Sequence, residues 1–395
     1  MPSSTPRRPH YRRKRSYLAL VLFALALLYA WPIARAHLQA IALLDLVSGE
    51  KLPWLLQHTI ADPVTVQQIQ LPGNIRARLY TPKHHPNAPG IVVLHGVHYL
   101  GIDEPRMISF ASGLASCGLQ VFTPELPDIR DYHIDANSIT VIGTSTQWFA
   151  QQTHGPVGVM GLSFSGGLAL IAATEPAYAS DFKFIVAVGS QNSMNRVAEY
   201  YRTGRALRPD GTYEVLPPHE YGTLVLEYEH LEDFVPAADI PAIRSVLKAH
   251  LYEDPIAEKQ AMLQLTSAQN TEAIYLMNAH SAHTQLLLAN NEQLRSREME
   301  ALSPAGKLSA LTTPVFLLHG EADNIIPASE ALWMAQELPA TSLKELLVSP
   351  IISHVGMENS LTPSWLRHAD DEWQLIHFFA RIMQTAAAPR VPLAH

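Results

Sequence analysis

The sequence holds a single cysteine, Cys117, in 395 residues. An intramolecular disulfide is therefore excluded, and the redox compartment stays open. Residues 110–118 around it read as an amphipathic helix closing on Gly118. With no charged neighbour to lower its pKa, the thiol reads as buried filler. Charge is also scarce, at 16% of residues. Of the 28 Lys and Arg residues, six (Arg7, Arg8, Arg12, Arg13, Lys14 and Arg15) crowd into the first sixteen positions, which carry no acid. The other 22 face 36 acidic residues, so the body is near −14 where the whole chain is −8. A body that acidic lacks the clustered basic surface that phosphate contacts need, which argues against nucleic acid as a partner. Also missing are His-Glu-x-x-His, paired Cys ligands, the phosphate-binding Gly-x-x-x-x-Gly-Lys and Gly-x-Gly-x-x-Gly. His84-His85 lies in a Lys- and Pro-rich turn and reads as a solvated loop, not a metal site. There is no solenoid repeat and no low-complexity tract.

One long hydrophobic run is present. Residues 17–34 carry no charge, and eighteen residues of helix span roughly 27 Å, close to bilayer thickness. The basic cluster precedes the run, and Tyr29 and Trp31 lie at its far end, where aromatic rings favour the interface. The expectation is a basic cytoplasmic tail (1–16) and a transmembrane anchor or signal segment (17–36). The bulk of the chain is then extracytoplasmic by the positive-inside rule. Ala34-Arg35-Ala36 offers the alternative, secretion after cleavage following Ala36.

The spacing then predicts a short helical connector within 37–60 and a hairpin whose two alternating runs, 64–70 and 75–80, flank Pro72-Gly73-Asn74. Ile91-Val92-Val93-Leu94 is continuously apolar, as in a strand buried on both faces. Similar runs at 119–122, 157–160, 184–188, 315–318 and 346–348 alternate with helical segments, predicting a doubly wound, mostly parallel sheet. That divides the chain into a first core part (61–190), an insertion (191–303), a second core part (304–386) and a tail (387–395). The insertion carries turns at Arg208-Pro209-Asp210-Gly211 and Leu216-Pro217-Pro218-His219 and helical patterns such as 242–248. It reads as a mostly helical cap over the carboxyl ends of the strands. Tyr200, Tyr201, Tyr213, Tyr221 and Tyr228 begin it, where an acyl pocket and plain packing both account for them.

The chemistry centres on Gly161-Leu162-Ser163-Phe164-Ser165-Gly166-Gly167. A serine hydroxyl needs a base and an exposed, strained position to act as a nucleophile. A strand–turn–helix corner with small flanking residues supplies that position. The fifth position of the Gly-x-Ser-x-Gly pattern is Ser165, a departure that loosens the packing argument. Making Ser165 the nucleophile instead loses the first glycine, so Ser163 is favoured. Downstream, Asp323 follows a buried strand and His354 follows the next one. The carboxylate can orient the imidazole, which takes the serine proton. Glu321 is a weaker acid candidate, and His368 and His377 are weaker bases. The oxyanion of the tetrahedral intermediate needs two N–H donors, assigned to Phe164 and to Val97 in the loop after His95-Gly96. His95 itself reads as a brace for that loop.

These motifs (Leu94-His95-Gly96, residues 161–167, His319-Gly320-Glu321-Ala322-Asp323 and Ser353-His354) resemble those of the α/β-hydrolase superfamily. The likeness runs from about residue 64 to 383 outside the insertion. It implies a Ser–Asp–His triad, no metal and no organic cofactor, and hydrolysis of an ester or related acyl bond in a small-molecule substrate. Two alternatives share the fold: an acyltransferase using the same triad, and a catalytically inactive, membrane-tethered binding protein. A peptidase of this fold is expected to need a large sieving domain, for which the chain has no room.

Overall fold

A computed structural model describes residues 11–352 and 365–389, the backbone alone for 11–29 and 365–368. The chain enters its sheet through the expected hairpin. Strands β1 (Val64–Leu71) and β2 (Ile75–Pro82) pair antiparallel around Pro72–Asn74. Gly73 takes φ 79° at that turn, a conformation costly for residues with a Cβ.

Each continuous apolar run becomes a strand. These are β3 (Gly90–Leu94), β4 (Gln120–Pro124), β5 (Val157–Leu162) and β6 (Phe182–Val188). A small hairpin of β7 (Arg205–Leu207) and β8 (Tyr213–Val215) stands apart, closed by the Arg208–Gly211 turn. Strands β9 (Val315–Gly320) and β10 (Leu343–Ser349) complete the main sheet. Its order is β1-β2-β4-β3-β5-β6-β9-β10. Strand β2 meets β4 antiparallel, and from β4 to β10 all neighbours run parallel. Ile91, Val92, Val93 and Leu94 are fully buried, because helices cover both faces of a parallel sheet.

The order reverses at β3. Strand β4 lies on one side of it and β5 on the other. The loops leaving the carboxyl ends of β3 and β5 therefore part in opposite directions and open a crevice, the usual ligand position in such sheets. Those two loops carry Val97 and Ser163.

One face of the sheet is covered by three helices: Tyr11–Ser48, Pro105–Ser116 and Trp365–Ala387. The first of these corrects the sequence reading of a separate short connector. It runs unbroken to Ser48, and a second helix, Trp54–Thr59, follows. The physical reason is a stripe at helical spacing. Ala36, Ala40 and Leu43 face the core and are almost wholly buried, as an i, i+4, i+7 pattern requires. Among the described residues no helix is long and apolar enough to cross a membrane. Residues 17–29 of the apolar run are described only as helical backbone.

Between β6 and β9 the chain inserts six helices and the small hairpin. The helices are Met194–Thr203, Glu220–Glu229, Ile240–Leu251, Pro255–Met262, Ser267–Leu276 and Ala282–Ala301. Their apolar residues, among them Tyr200, Leu224, Leu247 and Met299, join one hydrophobic cluster with Phe164 and Leu168 on the other face of the sheet. Cys117 is fully buried, and burial pushes its thiol up to about 12.

Candidate active site

The corner after β5 is built by glycines. A Cβ on Gly161 would lie 2.4 Å from the Cα of Gly166. One on Gly166 would meet the Ser190 hydroxyl at 2.0 Å. The helix Phe164–Thr174 can therefore start directly against the strand. Ser163 pivots between them at φ 58°, ψ −137°, a strained conformation that costs about 1–3 kcal/mol and persists only where its surroundings enforce it. Its N–H donates to the Val188 carbonyl at 2.8 Å, which ties the corner to the end of β6.

Ser165 sits differently. It is fully buried inside the helix, and its hydroxyl donates to the Leu162 carbonyl at 2.7 Å. It is committed to structure, and Ser163 alone occupies the strained pivot.

Phe164 is the first residue of that helix, where backbone N–H groups have no partner within the helix and favour a negative charge. Across the crevice, a Cβ on Gly96 would stand 3.3 Å from the Ser163 Cβ, so the loop carrying Val97 lies against the pivot. His95 braces that loop. Its Nδ1–H donates to the Gly96 carbonyl (2.8 Å), and its Nε2 accepts the Leu126 N–H (3.0 Å). Burial holds its pKa down at about 4, so the ring is neutral and free to accept. The Val97 carbonyl in turn accepts the Tyr221 hydroxyl at 2.7 Å.

Asp323 follows β9 and is 2% exposed. One carboxylate oxygen accepts the N–H groups of Ile325 and Ile326, both at 3.0 Å. The other lies 3.5 Å from His319 Nε2. The His319 Nε2–H donates to the Ile326 carbonyl at 2.7 Å. Glu321 is exposed, so the buried, fixed carboxylate is that of Asp323. The next residue, Asn324, accepts at its carbonyl from the His219 N–H (2.8 Å) and the Tyr200 hydroxyl (3.1 Å).

His354 lies outside the described residues. So does the side chain of His368. His377 is turned toward the opposite face of the sheet, with its Nδ1 3.3 Å from His37 Nε2 on the N-terminal helix.

The sequence reading missed the ties from the insertion. Tyr221 reaches Val97 across 124 positions, and Tyr200 reaches Asn324 across another 124. A tyrosine-rich stretch was the available signal, and it does not name the partners. The solvated loop expected at His84 and His85 matches their largely exposed rings. Both nonetheless hydrogen-bond the buried Asp62 carboxylate, at 2.7 and 3.0 Å.

No curated protein matches the chain in sequence. Solved structures similar to it include MGS-M2, an α/β hydrolase enzyme from a Medee basin deep-sea metagenome library. That match has 11% identity, covers 79% of this chain and 97% of the other, and has a TM-score of 0.41. The acylaminoacyl peptidase of Pyrococcus horikoshii matches at 12% identity over 83% of this chain and 42% of its own, TM-score 0.43. The 2-hydroxy-6-oxo-6-phenylhexa-2,4-dienoate hydrolase of Rhodococcus sp. strain RHA1 matches at 15% identity over 80% and 99%, TM-score 0.37. A family model, that of the X-Pro dipeptidyl-peptidase (S15 family), matches residues 140–356, more than half of the chain. The expectation that the chain is too short for a peptidase loses its force, because the matching family is one of peptidases. With its doubly wound sheet and its strand–helix corner at Ser163, the chain belongs to the S15 peptidase family of α/β hydrolases.

Proposed function

We propose that the protein is a serine hydrolase that cleaves a carboxylic ester or related acyl bond by way of an acyl-enzyme. Ser163 is the nucleophile, His354 the base and Asp323 the group that orients it. The N–H groups of Phe164 and Val97 bind the oxyanion. His354 takes the Ser163 proton as the oxygen attacks the carbonyl carbon, then gives that proton to the leaving group. A water attacks the acyl-enzyme, giving its proton to His354, which returns it to Ser163. The observation that carries this reading is the strained Ser163 pivot at a glycine-packed strand–helix corner, since its φ of 58° with ψ of −137° lies outside even the left-handed helical region that turn residues occupy.

The family match favours a second reading within the same chemistry, in which the scissile bond is the amide of a peptide. An acyltransferase would pass the same acyl group to an alcohol. The insertion, touching the loops of both Val97 and Asp323, serves as a cap. The apolar run 17–34 anchors the protein, with the hydrolase on the extracytoplasmic side. Support for retention over cleavage after Ala36 comes from the helix, which continues through that position with Ala36 buried in the core.

The test is labelling by a fluorophosphonate, followed by turnover of p-nitrophenyl esters and of an X-Pro p-nitroanilide, with and without an alcohol acceptor. Wild type is expected to label and Ser163→Ala to stay unlabelled while folded. A Ser163→Ala protein that still turns over substrate overturns the assignment.

A further inference from the structure

A cavity of about 10 Å³ lies against Phe164, beneath the insertion, roughly the room that one water needs. Its walls include Met194, Tyr201, Gly222, Glu229 and Met299. Two features set it apart from a packing defect. Tyr201 is 4% exposed, and its hydroxyl has no hydrogen-bond partner among the described residues. A buried hydroxyl left unpaired is costly. The ring cannot swing toward the helix Glu220–Glu229, because a Cβ on Gly222 would already be 2.4 Å from Tyr201 Cε1. The hydroxyl is thus held in place without a partner. Glu229 on the same lining accepts the Ile134 N–H at 2.7 Å, and burial pushes its carboxyl up to about 8, so the wall is uncharged at neutral pH. Among the described residues no lysine or arginine lines the cavity. Met194 and Met299 are the adaptable part, since unbranched thioether side chains change rotamer at small cost.

We propose that this cavity is the closed form of the pocket for the acyl side of the scissile bond, and that the Tyr201 hydroxyl selects acyl groups carrying a neutral hydrogen-bond acceptor, such as a keto or amide oxygen. This rests on the assignment of Ser163 as nucleophile. Phe164 links the two, because it follows the nucleophile and walls the cavity. An acceptor on the substrate completes the hydroxyl's bonding. A carboxylate gains no counter-charge there, and a plain alkyl chain leaves the hydroxyl unpaired.

The test uses two p-nitrophenyl phosphonates, one with a pentyl and one with a 4-oxopentyl group on phosphorus, reacting with the full-length protein in detergent. Phosphonylation of Ser163 is followed by intact mass. Wild type is expected to react about fivefold faster with the oxo compound, the value of one neutral hydrogen bond. Tyr201→Phe should react equally with both. An equal rate in wild type, or a preference that survives Tyr201→Phe, overturns the proposal and leaves the hydroxyl to a trapped water. If neither compound labels Ser163, the nucleophile assignment itself has failed, which separates the two outcomes.

Discussion

Gly161 approaches Gly166 so closely that a methyl group on it would stand 2.4 Å from the neighbouring Cα. This contact accounts for the unusual fifth position of the Gly-x-Ser-x-Gly-like segment. The residue that must be small is Gly166, and the side chain of Ser165 turns away to the Leu162 carbonyl. Gly161→Ala should therefore be severe, because backbone atoms cannot step aside. We expect a loss of about 1–3 kcal/mol or more together with loss of fluorophosphonate labelling. Ser165→Ala should cost only about 1 kcal/mol, one neutral hydrogen bond, and keep its labelling. Urea unfolding and labelling of the two variants side by side give the comparison, and equal damage would refute this account of the motif.

Ser163→Gly should be more stable than wild type. Glycine adopts a positive φ without penalty, so the strain at φ 58° is released. Greater freedom of the unfolded chain offsets part of the gain. A net rise of about 1 kcal/mol is expected, read as a higher denaturation midpoint in a protein without activity. A midpoint at or below that of Ser163→Ala would show that the pivot is unstrained.

His95 predicts an acid limb of stability. Burial depresses its folded pKa to about 4, against about 6.5 in the unfolded chain. Below 6.5 the unfolded state binds the extra proton, so stability is complete above that pH and is lost as the pH falls toward 4. The loss reaches about 3 kcal/mol. In the folded protein Nε2 is protonated only as the pH nears 4, and there it loses the Leu126 N–H it accepts, so the loop of Val97 loosens at the foot of that limb. Denaturation midpoints between pH 7.5 and 4.5 should fall in wild type and fall less in His95→Asn. Parallel curves would assign the acid limb to other groups.

Tyr221→Phe tests the tie to Val97. The ring keeps its packing against Tyr132 (centroids 6.2 Å apart) and loses the bond to the Val97 carbonyl along with its hydroxyl's contact to the Tyr132 hydroxyl. Stability should change by about 1 kcal/mol. If Val97 serves the oxyanion, the rate should fall about tenfold in kcat with little change in KM, since that interaction is made only in the transition state. A rise in KM alone would place Tyr221 in substrate binding.

The sheet was legible because its strands are buried on both faces. Runs such as Ile91-Val92-Val93-Leu94 have no amphipathic alternative, and Pro72-Gly73-Asn74 marks its own turn. Ser163 and Asp323 were legible for a related reason, as each follows such a run. The docking of the N-terminal helix was not. The stripe of Ala36, Ala40 and Leu43 continues an apolar segment, and sequence periodicity does not distinguish lipid from protein as its cover. The β7–β8 hairpin escaped because three-residue strands carry too little pattern to register. The bonds of Tyr221 and Tyr200 escaped because tertiary folding, not local spacing, brings together residues 124 positions apart.

Those same bonds set a limit on how this scaffold can diversify. The helices between β6 and β9 hold the Val97 carbonyl through Tyr221 and the Asn324 carbonyl through Tyr200 and His219. A graft of this segment from a relative would therefore transplant more than a new specificity. It would carry its own anchoring points for the two loops on either side of Ser163, and a donor lacking them would leave that corner in a slack frame.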